Sequence, residues 1–242
     1  MACAIIGDDL DNRALGGVKI DVIMGRNAGF LTAAAALARR DGDDGPHLVY
    51  LPERPFSIEG FVKDVKAAMK KYGRCVVAVS EGISDKEGVP IIAKFTKETD
   101  SHGNVQLSGT GALGDLLANV VKEQAGIKRV RADTFGYLQR SFPGIASPND
   151  ALEARLAGVA AVQAAVCDEV SSGSVAIKRR PTKKYGVDFE VVPLRCVAKE
   201  TRHMPDEFIN KAGNHVTQAF IDYARPLVGV LPPCARFAQL KV

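Results

Sequence analysis

The sequence predicts an α/β protein built on an open, mostly parallel sheet with helices on both faces. Short β-branched runs alternate with segments whose apolar residues recur at helical spacing, the pattern of repeated βα units. Most of these runs are short and apolar. The hydrophobic fraction of 46%, the charged fraction of 25%, and 23 Gly with 12 Pro lie near the averages for globular domains. Disordered and fibrous classes are thereby excluded.

In chain order, strands are expected at Ala4–Ile6, Val18–Met24, His47–Leu51, Cys75–Ser80, Arg129–Phe135, Ser174–Arg179 and Phe189–Val197. An Ala- and Leu-rich helix is expected over Asn27–Arg40. The next opens at the cap Ser57, repeats Phe61, Val65 and Met69 every fourth residue, and closes at Gly73. Further helices are predicted over Thr110–Glu123, Asn149–Val170, Pro205–Lys211 and His215–Tyr223, the last amphipathic. Asp41 to Pro46 reads as a turn-rich connection, and Ser141 to Asn149 as a Pro/Gly/Ser loop that separates two blocks. The expected organisation is an N-terminal remnant over 1–17, an anion-binding α/β domain over 18–140, and a helical and strand segment over 141–242 that returns to a further domain.

A chain of 242 residues buries enough surface to fold without staples. Its net charge of +4 suits an anionic ligand but falls short of a nucleic-acid stripe. The basic run Lys178–Lys184 reads first as a solvated connection, with nucleic-acid contact the lesser alternative. Five scattered cysteines without metal spacing point to a reducing, cytoplasmic setting. The apolar start stops at Gly7-Asp8-Asp9, too soon for a signal segment. The longest apolar stretch, Leu31 to Ala38, is far below the ~20 residues a spanning helix requires.

Four places carry possible chemistry. Met24-Gly25-Arg26 sits where an apolar strand meets a helix, so free backbone N–H groups and the Arg26 guanidinium suit an anion; a capping or bridging arginine is the alternative. Glu81 follows the strand Cys75–Val79, at the edge where open α/β sheets gather ligand groups; it suits a sugar hydroxyl or a structural ion pair. Arg131, Tyr137 and Arg140 place two guanidiniums and a phenol within ten residues, a set suited to a phosphate monoester. Asp8, Asp9 and Asp11 cluster near the start, where carboxylates suit Mg²⁺ or a proton-accepting role; a polar turn explains them equally well. Ser108-Gly109-Thr110-Gly111 reads as a tight turn more than a phosphate cradle, because no P-loop lysine follows. The four histidines stand apart from any nucleophile signature and read as surface or core residues.

The stretches VIMGRNAGFLTAAAALARR, HLVYLPERPFSIEGFVKDV, VVAVSEGISD, QLSGTGALGDLL and RADTFGYLQRSFPGIASPNDALEARLAGVAAV resemble, in this order, the phosphofructokinase family. The resemblance runs from about Val18 to Pro232, and Tyr137-Leu138-Gln139-Arg140 is similar to the pyrophosphate-dependent branch. It implies a Rossmann-like fold and transfer of a phosphoryl group from pyrophosphate or ATP to O1 of fructose 6-phosphate. Glycolysis, Mg²⁺ as cofactor, a homo-oligomer, and no nucleic-acid or membrane partner follow from the same resemblance. By position, Met24, Gly25 and Arg26 are similar to the family's substrate strand, with Arg26 also steadying the phosphoryl group, and Glu81 to the carboxylate that binds sugar hydroxyls. Tyr137 and Arg140 are similar to the 6-phosphate clamp, and Arg131 to an arginine that reaches a neighbouring subunit.

Gly7-Asp8-Asp9 is similar to the family's metal motif, which assigns Asp8 and Asp9 to the metal, and Asp11-Asn12 is similar to its base loop, which makes Asp11 the catalytic base. The resemblance departs at Gly17 and Val22, where many members carry Arg and Glu. With 23 residues ahead of Met24, the donor-binding part is expected to be absent. A chain without it is expected to hold the sugar-phosphate half, as an enzyme fragment or as a non-catalytic binding or regulatory subunit.

Overall fold

A computed structural model describes residues 1–94, 111–141, 144–167, 172–182, 184–198 and 201–231. Four strands, β1 (Gly17–Ile23), β2 (Leu48–Tyr50), β3 (Arg74–Ser80) and β4 (Val130–Thr134), form one parallel sheet in the order β2-β3-β1-β4. β1 and β3 are buried almost throughout, as central parallel strands with covered faces must be. Their register pairs Gly17 with Arg74 and Ile23 with Ser80, so the two strands end side by side.

One face of this sheet holds the main apolar core. Val18, Ile20, Val22, Val77 and Val79 pack with Phe61 and Val65 of α3 (Ile58–Tyr72) and with Leu113, Leu117 and Val121 of α4 (Ala112–Ala125). The caps of α3 follow the sequence: Ser57 Oγ accepts from Gly60 N–H at 3.0 Å, and Gly73 takes the left-handed conformation at φ 71°.

The other face is covered by α1 (Ala2–Leu15), which replaces the strand expected at Ala4–Ile6. Its buried residues Ala2, Ile5, Ile6, Asp9 and Asn12 recur at helical spacing, and the two polar ones are satisfied. Asp9 meets Arg74 at 2.9 Å, and Asn12 Nδ2 donates to the carbonyls of Gly17 and Cys75. The six apolar residues Met1–Ile6 carry no period of their own; the polar residues that follow decide the element.

The helix expected over Asn27–Arg40 is shorter than predicted. α2 spans Phe30–Ala34 and tightens into a 3₁₀ turn over Ala35–Ala38. A cis Gly45-Pro46 bond then leads into β2. The edge of β2 is covered by the segment near Asn214, whose carbonyl accepts from Val49 N–H at 2.8 Å, while its side chain donates to Asp64.

The chain divides into two compact units. The first comprises Met1–Phe142 with His203–Asp222, so the chain returns to the sheet after a long excursion. The second, Pro143–Arg202 with Tyr223–Val230, holds α6 (Pro148–Val166) and an antiparallel ribbon of β5 (Ser174–Arg179) and β6 (Val187–Val192). α6 begins as its sequence dictates, with Ser147 as N-cap and Pro148 at the first turn. A short α5 (Leu138–Ser141) closes the first unit, and α7 spans Gln218–Val228. The predicted helix Pro205–Lys211 is a 3₁₀ turn over Asp206–Phe208. The cradle at 108–110 lies outside the described residues.

Candidate functional site

Three adjacent parallel strands, β3, β1 and β4, end at one sheet edge, and the segments that leave them carry most of the polar groups singled out in the sequence. Beyond Ile23 come Met24, Gly25 and Arg26; beyond Ser80 comes Glu81; beyond Thr134 come Tyr137 and Arg140. The carboxyl edge of a parallel sheet collects ligand groups because side chains leaving consecutive strands converge there.

The backbone around Met24–Arg26 is held from several sides. Ser80 Oγ donates to the Gly25 carbonyl at 2.7 Å, and Glu81 N–H donates to the Ile23 carbonyl at 3.0 Å. Gly25 N–H points at Glu81 Oε1 across 3.4 Å, which orients a carboxylate that is otherwise almost enclosed. Gly25 needs its glycine, since φ is 146° and a Cβ would stand 2.7 Å from the Ala28 carbonyl. Gly82 has no room for a side chain because the Arg26 backbone lies against it.

On the β4 side, Phe135 N–H extends the ladder to the Val22 carbonyl at 2.9 Å and delivers the turn at Gly136, φ 51°. The Arg140 guanidinium lies 5.2 Å from the centre of the Tyr137 ring, a cation–π contact that sets the two side chains together. Gln139 Nε2 reaches Met24 Sδ at 3.1 Å and ties this turn to the β1 exit. Arg26, Tyr137 and Arg140 are solvent-exposed, whereas Glu81 is buried. The edge therefore offers two accessible guanidiniums and a phenol for an anion, beside a carboxylate that can accept from hydroxyls.

Asp9 and Asp11 are not brought to this edge, and Asp8 sits beside Asp21 and Asp133. All three lie on α1, and Asp9 pairs with Arg74, the first residue of β3, and with Arg13. A strand of this length places its two ends roughly 20 Å apart. Asp11 bonds Arg131, so these two predicted site residues are tied to each other rather than to the Glu81 edge. The placement corrects the expected Asp8–Asp9 metal pair and the Asp11 base: helical geometry turns neighbouring side chains about 100° apart, and each meets a different cation.

Among the described residues, one set of carboxylates stands close enough for a single ion: Asp8, Asp21 and Asp133. The Lys19 ammonium already occupies it, 3.2 Å from Asp8 and 3.7 Å from Asp21, and bonded to Asp133. That set does not fit Mg²⁺, because its cation is supplied by the chain. Burial, with Asp8 beside it, holds the Asp21 carboxyl well above the usual carboxylate range, against the pull of Lys19. Lys19 itself is raised despite its burial, through its bond to Asp133 and the charges of Asp21 and Asp8. The pattern of a Lys and an Asp two residues apart in a buried strand was the available sequence signal, hidden by reading Val18–Met24 as apolar.

Sequence reasoning also missed Glu53. It follows β2 and accepts from Gly29 N–H, at the far end of the Arg26 loop.

A family model described as phosphofructokinase matches residues 10–165. The chain is 57% identical over 231 residues to a pyrophosphate–fructose 6-phosphate 1-phosphotransferase of Rhodospirillum rubrum, covering 95% of this chain and 56% of that one. An enzyme of the same name from Xanthomonas campestris pv. campestris is 37% identical, with 88% and 49% covered. The crystal structure of the pyrophosphate-dependent phosphofructokinase from Marinobacter aquaeolei superposes with a TM-score of 0.78 at 30% identity, covering 97% of this chain and 55% of that one. The chain spans about half the length of the relatives it matches.

Proposed function

The chain belongs to the phosphofructokinase family, and from that premise we propose that it carries the fructose 6-phosphate half of a pyrophosphate-dependent 1-phosphotransferase of glycolysis. One observation carries the reading: Arg26, Glu81, Tyr137 and Arg140 leave three neighbouring strand ends and meet at one edge, with the Gly25 backbone aimed at Glu81. Arg140 and Tyr137 hold the 6-phosphate, where charge-assisted hydrogen bonds to a dianion are strongest. Glu81 accepts from sugar hydroxyls, and Met24 and Gly25 shape the floor. Arg26 faces the position of phosphoryl transfer and offsets the charge that develops there.

Pyrophosphate is the preferred donor because the named relatives cited above use it. The reaction's Mg²⁺ is not assigned to Asp8 or Asp9, since Asp9 is held by Arg74 and Asp8 by Lys19. Arg131 is assigned to an interface with a second copy, and the assembly to a homo-oligomer in the cytoplasm. Among the described residues no helix is long and apolar enough to cross a membrane.

A binding or regulatory role without catalysis is the second reading. It is favoured by the position of Asp11 on α1, bonded to Arg131 near the start of β4 and away from the sugar edge, which leaves the expected base out of the site. Proximity of two bound substrates contributes roughly 7–11 kcal/mol to such reactions, and a chain that binds one of them has no use of it.

Calorimetric titration of fructose 6-phosphate into the chain and its Arg140→Ala variant tests the reading. Saturable binding is expected, weaker in the variant by about 1.5–3 kcal/mol, the cost of losing a charge-assisted phosphate contact. No saturation at millimolar sugar, or equal affinity in the two proteins, would refute it. Phosphotransfer from pyrophosphate by the purified chain would exclude the second reading.

A further inference from the structure

Glu53 is not among the groups singled out at the Glu81 edge, yet its partners connect it to the loop that carries Arg26. It leaves β2 in the turn Leu51-Pro52-Glu53-Arg54. One oxygen, Oε1, accepts two backbone N–H groups, from Gly29 at 2.9 Å and from Met204 at 3.0 Å. The other, Oε2, is enclosed and has no hydrogen-bond partner. An acceptor that serves two chain segments far apart in sequence, while its second oxygen is left dry, is costly to keep unless its position matters.

Gly29 ends the loop that begins at Met24, and it is pressed onto this carboxylate. A Cβ on Gly29 would stand 2.8 Å from Glu53 Oε2 and 2.9 Å from Leu51 Cδ2. The near end of the same loop is held by Ser80 and Glu81 through Gly25. Arg26 thus projects from a loop pinned at both ends, by strand β3 on one side and by Glu53 on the other. Glu53 also fixes where the returning segment begins, through Met204, and the neighbouring Arg54 adds a 2.8 Å ion pair to Asp206.

We infer that Glu53 is a positioning residue of the sugar-phosphate site, locking the far end of the Arg26 loop to the returning segment His203–Asp206. The inference rests on the sugar-phosphate reading only for its effect on affinity; the lock itself is a property of the backbone. Site groups have to be held within about half an ångström to work, and an exposed arginine on a loop needs such a support. The acceptor oxygen matters more than the charge, because two N–H groups require an oxygen in that place and, among the described residues, Glu53 forms no ion pair.

The test combines site-resolved amide hydrogen exchange with fructose 6-phosphate calorimetry on wild type, Glu53→Ala, Glu53→Gln, Gly29→Ala and Arg140→Ala. Glu53→Ala is expected to expose the Gly29 and Met204 amides to exchange, leave those of β1 and β3 protected, and weaken the sugar on the order of tenfold. Glu53→Gln, which keeps a carbonyl oxygen, is expected to restore both readouts. Gly29→Ala pushes the loop off the carboxylate and is expected to weaken the sugar with the core intact, which carries the test should Glu53→Ala fail to fold. Unchanged exchange at Gly29 and Met204 in Glu53→Ala, failure of Glu53→Gln to restore it, or wild-type affinity in Gly29→Ala would each overturn the inference. Absent sugar binding in wild type, or an Arg140→Ala variant that binds equally well, would instead sink the sugar-phosphate reading, and the exchange data would still judge the lock.

Discussion

Replacing Asp21 by Asn should stabilise this protein at neutral pH. The carboxylate is fully enclosed in β1, and neither oxygen receives a hydrogen bond. Among the described residues its cation is Lys19, whose Nζ stands 3.7 Å away and is shared with Asp8 and Asp133. A buried charged group left unsatisfied costs at least about 1–3 kcal/mol. Asparagine keeps the shape and removes the charge, and Lys19 retains two carboxylate partners. A net gain of about 1–2 kcal/mol corresponds to roughly 2–4 °C per kcal/mol in Tm for a chain of this size.

The pH dependence of that gain identifies its cause. Burial raises the folded-state pKa of Asp21 well above the ordinary 3.8. The folded protein therefore holds a proton that the unfolded chain has released, and wild-type stability falls as pH rises from the carboxylate range through the folded pKa. The advantage of Asp21→Asn should be small near pH 4 and grow toward pH 7, read as Tm or urea midpoint at each pH. A variant no more stable than wild type at pH 7, or a gain that stays constant across the range, would refute the reasoning.

Gly7 lies in the interior of α1 with open space where its Cβ would be. Gly7→Ala should add about 0.5–1 kcal/mol in urea unfolding, and a loss would mean the segment is not helical. His47, lowered by burial to a pKa of about 4, binds a proton in the unfolded chain near 6.5 but not in the fold, so stability present above pH 6.5 is lost as pH falls toward 4. That loss amounts to on the order of 3 kcal/mol, and His215, also lowered by burial, adds to the same limb. His47→Asn, whose side-chain oxygen can replace Nδ1 as acceptor for Val76 N–H, should flatten the acid limb; an unchanged limb would assign it elsewhere. Leu152, Leu156, Val159, Val162 and Val166 form an exposed stripe along α6. Leu156→Lys with Val159→Lys should lower light scattering without lowering Tm, and an unchanged signal would clear the stripe of causing association.

Much of the candidate site was legible because its residues follow strand ends. The apolar runs before Met24 and Glu81, and the strand before Tyr137, place those residues at one sheet edge once the strands are parallel and adjacent. The carboxylates of α1 were misplaced for a local reason. Ala4–Ile6 is too short to show a period, and reading it as a strand put Asp8, Asp9 and Asp11 in a loop rather than on a helix. Arg131 was legible as a charged residue but not as the partner of Asp11, since 120 residues separate them.

Local pattern thus determined the βα alternation, the caps of α3 and α6, and the polar groups that emerge beyond the strands, because turn chemistry and hydrophobic period act over a few residues. Tertiary structure alone decided that Lys19 fills the Asp8–Asp21–Asp133 set, that Asp9 is held by Arg74, and that Glu53 grips Gly29 and Met204. Those outcomes depend on which buried charges and backbone N–H groups find each other across the fold, and the chain meets that requirement only once the sheet has brought distant segments together.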